Sequence, residues 1–276
     1  MNNTFNIQRF GLLLKRQWLE FGKIFLITVG VALGVIITFY TFSLWDVFFA
    51  ERPSFSQRDL GFREPLFIIF GFLFITVISS SYFAHLGQKP KAIIDLMIPA
   101  STFEKFLTGV FFTTILSVAS FTLVFYLADL AFVSKVRSSF ATVSNVTSYT
   151  DARGQVTETV DNAMYFFTKN FPEKFKSLFI MVPFFVTSVF LLGSLYFNRF
   201  HYIKTAISVI IFSGVWSFIL YNTGRLLFEG KIMIEHDRQN FKPTDAGAEL
   251  AIFAFFAVLT LIFWTIGYIR LKEKQV

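Results

Sequence analysis

Residues 23–46 read KIFLITVGVALGVIITFYTFSLWD, with Lys23 and Asp46 enclosing 22 residues that carry no charge. About 20 apolar residues in a helix cross a hydrocarbon layer of about 30 Å, so this interval has the length of one membrane span. It is too long for the core of a signal peptide, and no small-residue cleavage site follows it. Five further intervals repeat the pattern: 65–88, 106–128, 177–198, 205–224 and 250–269, each 20 to 24 residues long. The spans must be helices, because lipid offers no partner to a backbone N–H or C=O. Membrane-spanning strands would be about 10 residues long and alternating, which these intervals are not. The expected fold is therefore an all-α membrane protein with six transmembrane helices, at about 24–45, 65–86, 104–132, 177–198, 205–226 and 249–270. No internal repeat or flexible linker divides residues 1–276, so one membrane domain is expected.

Composition agrees. Hydrophobic residues make up 54% of the chain and charged residues 16%, against about 25% charged in soluble domains. The 41 Phe exceed what one soluble core needs, and the absence of Cys excludes disulfides and cysteine-ligated metals. With the N-terminus inside, segments 1–23, 89–105, 199–204 and 270–276 hold twelve Lys and Arg against four acids. The opposite segments 46–64, 135–176 and 225–249 are longer and hold thirteen of each sign. Basic residues concentrate in short cytoplasmic loops, so both termini are expected in the cytoplasm. The net charge of +7 is thus a membrane signature. No basic patch interleaves with exposed aromatics, and no nucleic-acid partner is expected.

Phe10, Leu14, Trp18 and Phe21 recur on one helical face, with Arg9, Arg16 and Glu20 opposite. This pattern predicts an amphipathic helix along the membrane surface that bends into the first span at Gly22. The other reading is a simple extension of the first span.

The segment between spans two and three is the most informative. In GQKPKAIIDLMIPASTFEK, residues 87–105, Pro90 fits a helix's first turn and Pro99 ends it. Ser101 and Glu104 have capping-box spacing and start the third span. Between them lies a short helix with apolar Ile93, Ile94, Leu96 and Met97. It is too short to span, so it rests on lipid or docks into a partner's groove.

On the other side, residues 134–176 include an alternating stretch at 141–147, which suggests a short hairpin turning near 151–154. Tyr165, Phe166, Phe167 and Phe171 beside Lys169 and Lys174 suggest an interfacial segment.

Catalytic signatures are missing. There is no phosphate-cradling G-x-x-x-x-G-K-[ST], no H-E-x-x-H and no G-x-S-x-G, so no catalytic residue, cofactor or metal is expected. His85, His201 and His236 fall on separate segments. Asp129 and Arg225 are placed near the outer surface, as a solvated carboxylate and a snorkelling cation. Gly30 and Gly34 form a G-x-x-x-G suited to close helix packing. Ser79–Ser81 and Thr113, Thr114, Ser117 and Ser120 are read as interhelical hydrogen-bonding groups, or as the lining of a polar path.

Residues 92–109, AIIDLMIPASTFEKFLTG, resemble the loop that follows the second span of ABC-2-type permeases. The matching residues are Asp95, Leu96, Pro99, Ser101 and Glu104. Six spans and an amphipathic N-terminal helix are similar to that family in layout, although the long outer loop here lies between spans three and four. The resemblance implies a non-enzymatic permease subunit in the bacterial inner membrane, homodimeric or heterodimeric, driving export. Energy would come from a separate ATPase subunit docking on the cytoplasmic loop 89–105. Ile93, Ile94, Asp95, Leu96, Met97, Pro99, Ser101 and Glu104 would form the docking element, a coupling helix. The competing expectation is a membrane anchor or sensor subunit that binds another protein and transports nothing.

Overall fold

A computed structural model describes residues 5–49, 57–87, 93, 95, 97–140, 146–150, 156–160, 165–169, 176–228 and 246–274. The uncharged intervals become long helices. These are α1 (Ile7–Ser43), the short α2 (Trp45–Phe49), α3 (Arg63–Tyr82), α4 (Thr102–Val110), α5 (Ser117–Phe140), the short α6 (Phe166–Lys169), α7 (Lys176–Tyr196), α8 (His201–Phe228) and α9 (Ala246–Lys274). A π-helical segment, Phe111–Leu116, joins α4 to α5 into one rod, and a 3₁₀ turn, Phe83–Gly87, prolongs α3. Five of these rods are long and apolar enough to cross a membrane. In α7 the corresponding apolar helix is the shorter Ile180–Tyr196. The chain is an α-helical, multi-pass membrane protein. Strands Val146–Thr150 and Val156–Val160 pair antiparallel, with Val146 opposite Val160 and Thr150 opposite Val156.

α7 sits centrally, packed against α3, α8 and α9, while α3 also packs on α1 and α5. α8 lies at the edge, with apolar side chains exposed along most of its length. In lipid such exposure is the expected state of an outer helix. α7 and α8 approach closely at Gly193, where an added Cβ would collide with the Thr205 side chain. The turn between them carries Phe200 at a φ of 54°, in the left-handed region that bulky residues rarely adopt.

Contacts group the helix ends. Arg9 of α1 reaches Glu104 of α4. Gly87 abuts the Asn198 carbonyl, and Lys274 Nζ donates to Asn198 Oδ1 at 3.3 Å. The start of α1, the turn after α3, the α7–α8 turn and the end of α9 therefore share one end of the bundle. The start of α3 and the later part of α5 meet at the other.

Two sequence expectations change here. The bend at Gly22 is absent, because α1 runs unbroken for 37 residues. At 1.5 Å per residue it is about 55 Å long, well beyond the hydrocarbon thickness. Its N-terminal apolar face is also partly covered by the protein itself. Leu13 and Phe21 are buried, Phe21 meets Tyr82 edge-on at 5.3 Å, and Trp18 stacks on Phe112 at 6.3 Å. Trp18 also packs over Gly22 and meets Phe25 beyond it at 6.1 Å, which removes the reason to bend. The second change concerns Phe166. It turns inward, is buried, and packs 5.2 Å from Phe125 and 5.3 Å from Phe67.

Candidate functional site

The turn before α4 is a built structure. Met97 N–H donates to the Ile93 carbonyl at 3.2 Å, closing one helical turn, and Ile98 N–H reaches the Asp95 carbonyl at 3.3 Å. Pro99 cannot continue the ladder. Ser101 then caps α4: its hydroxyl accepts from Glu104 N–H at 3.2 Å, and Glu104 Oε2 accepts from Ser101 N–H at 2.9 Å. This is the capping box that the S-x-x-E spacing predicts.

Glu104 does more than cap. Its Oε1 accepts from the Asn6 backbone N–H at 2.9 Å and from Arg9 at 3.0 Å, and the residue is fully buried. Asn6 in turn caps α1 through Oδ1, which accepts from Gln8 N–H at 2.9 Å. One carboxylate thus ties the first turns of two helices together. Lys105 completes the frame by donating to the Asp95 carbonyl at 2.6 Å, with the Asp95 carboxylate 3.7 Å away.

The residues expected to meet a partner therefore divide. Ile93 and Met97 point away from the bundle, 57% and 79% exposed, and Pro99 is exposed beside them. Asp95 is half-buried against Lys105, so its closest cation belongs to its own chain. Ser101 and Glu104 are turned inward as framework rather than contact surface. Ile94 and Leu96 lie outside the described residues. Gly30 and Gly34 are exposed, with nothing within 4 Å of an added Cβ, so the G-x-x-x-G packs on no helix among the described residues.

At the opposite end a second ion pair corrects the reading of Asp129. Far from being solvated, Asp129 is 1% exposed. Its Oδ1 accepts from Arg63 at 2.9 Å and from the Tyr40 hydroxyl at 2.8 Å, while Oδ2 accepts from Phe166 N–H at 2.8 Å. Arg63 is fully buried and also donates to the Leu60 carbonyl at 3.1 Å. A buried carboxylate keeps its charge only when paired and hydrogen-bonded, and here α1, α3 and α6 all converge on one side chain of α5. In the sequence Arg63 stands just before the uncharged interval 65–88 and Asp129 just after the interval 106–128. Opposite charges at one end of antiparallel neighbours were the signal that could have joined them.

Between the two ends runs a seam of small hydroxyls. Ser79, Thr113, Thr114, Ser117 and Thr187 are buried. Most of their hydroxyls donate to carbonyls of their own helix: Ser79 to Ile75 at 2.7 Å, Thr113 to Gly109 at 2.8 Å, and Ser117 to Thr113. Thr114 and Thr187 bond across the helices at 3.1 Å. The geometry of these residues is that of packing, with their bonds closed inside the bundle, while the buried Ser80 hydroxyl has no partner among the described residues. The π-helical segment falls here, and such bulges are often found at functional positions.

These features define a class, a helical multi-pass membrane protein braced by an ion pair at each end, of which Arg63–Asp129 is fully buried. No protein-family model matches the chain, and no match was found among curated proteins or solved structures.

Proposed function

We propose that the chain is the membrane subunit of a two-component exporter of the ABC-2 type. It crosses the bacterial inner membrane six times with both termini in the cytoplasm, and works as a dimer. A separate ATPase subunit supplies the energy by docking on the turn at 93–105. One observation carries this reading: two large apolar side chains, Ile93 and Met97, stand exposed on a turn that Lys105 and the Ser101–Glu104 box hold in place. A rigid apolar projection between two apolar rods suits the groove of a partner better than free water. Force applied there has a route into the bundle, since the Lys105 frame passes to α4 and Glu104 passes to α1.

A non-transporting anchor or sensor is the second reading. It is favoured by the hydroxyl seam, whose bonds close within the bundle and line no described path. Ile93→Ala with Met97→Ala separates the two. Loss of two hot-spot side chains costs roughly 2–4 kcal/mol each, or about 30- to 1000-fold in affinity. Protein purified in mild detergent should lose its co-purifying ATPase in the double variant, and reconstituted vesicles should lose coupled ATP turnover. If wild-type protein carries no ATPase, or the variant retains it, the exporter reading falls and the anchor reading takes its place.

A further inference from the structure

A cleft of about 430 Å³ lies among α3, α5 and α7. Phe67, Gly71, Phe72 and Ile75 form its α3 wall, Phe121 stands on α5, and Phe184 on α7. Thr122 brings the one hydroxyl among the described lining residues. Two sequence features shape it. Gly71 leaves bare backbone where a Cβ would stand 2.9 Å from the Phe121 ring. Pro183, inside α7 and on the cleft wall, removes a helix N–H and loosens the ladder beside α3. The walls on α3, α5 and α7 belong to the uncharged intervals, and Phe167 of α6 closes the end nearest Asp129, which places the cleft in the half of the hydrocarbon layer next to that end. Its rim includes Ile68 and Ile180, both exposed, so the mouth opens sideways among lipid-facing side chains.

We propose that this cleft is a binding site for one hydrocarbon chain of a membrane lipid. Water does not suit it, since a buried water needs two to four polar partners and the walls offer one hydroxyl. A helix of a second copy does not fit either. One turn of helix 10–12 Å across and 5.4 Å high fills about 400–600 Å³, so the cleft would hold at most a single turn. A flexible acyl chain is slender, apolar and present at that depth, and it restores the dispersion contacts that an empty cleft forfeits. The proposal rests on membrane placement alone and is independent of the exporter reading.

The test uses the full chain in phosphatidylcholine vesicles doped with a phosphatidylcholine that bears a mid-chain diazirine. After irradiation, labelled residues are mapped by mass spectrometry. Phe72 and Phe184 are less exposed than Ile210, Phe212 and Phe218 on the outer face of α8. A bound chain should nonetheless label the first pair several-fold more than the α8 residues. Val118→Trp, which fills the cleft, should bring the cleft label down to the α8 level or below and leave α8 labelling unchanged. Thr122→Phe serves the same purpose if the Trp variant does not run as a single species on size exclusion. Cleft labelling at or below the α8 level in wild type, or labelling unchanged in the folded variants, would overturn the proposal.

Discussion

Arg63 and Asp129 each occupy a place where either charge alone would be costly. Removing one partner of a buried pair typically destabilises by about 3–5 kcal/mol, because the other charge is left uncompensated. Asp129→Asn is therefore expected to lower the melting temperature in detergent sharply. Arg63→Met combined with Asp129→Leu should cost less than either change alone. A thermal double-mutant cycle checks this; single variants as stable as wild type would show that the pair holds nothing. Glu104 is the counterpart at the other end. Glu104→Ala deletes a cap and takes the acceptor from the part-exposed Asn6 and Arg9 donors, at about 1 kcal/mol. Its signature is local: faster hydrogen exchange of the first turns of α1 and α4, with α7 unaffected. Much of this was hidden in the sequence. The Ser101–Glu104 spacing announces a cap, because a cap is a local hydrogen-bond pattern. The Arg9 and Asn6 contacts to Glu104 span 95 and 98 residues, and no local pattern encodes them. Asp129 looked like the edge of a span because its partner lies 66 residues away on another helix.

At the scale of elements, the rods were legible and their ends were not. Charges at Lys23, Glu64, Lys105, Lys176, Lys204 and Glu249 fence the apolar runs, and the helices cover those runs. Gly22 misled because glycine lowers helix propensity by only about 1 kcal/mol, which the Trp18 and Phe21 contacts outweigh. A spin-label distance makes the difference measurable. Labels at Leu12 and Ile37, both exposed, should lie about 37 Å apart along a continuous helix. A right-angle bend at Gly22 would bring them to about 27 Å by the same rise per residue. The π-helical segment had no sequence signal either, since Phe111–Leu116 reads as ordinary helix.

For the whole molecule, the arrangement of ends decides the functional reading. Arg9, Met97, Asn198 and Lys274 gather at one end of the bundle, and Tyr40, Arg63 and Asp129 at the other. In the proposed orientation, which the basic density of the short segments favours, the first end faces the cytoplasm. Every element of the exporter proposal depends on that assignment, because an ATPase can reach the 93–105 turn only from the cytoplasm. The chain has no native cysteine, so single introduced thiols report without background. Met97→Cys and Ser138→Cys place exposed thiols at opposite ends of the molecule. In intact cells a membrane-impermeant maleimide should label Ser138→Cys and spare Met97→Cys until the membrane is opened. Labelling of Met97→Cys from outside, with Ser138→Cys protected, would invert the orientation and contradict the docking of a cytoplasmic ATPase.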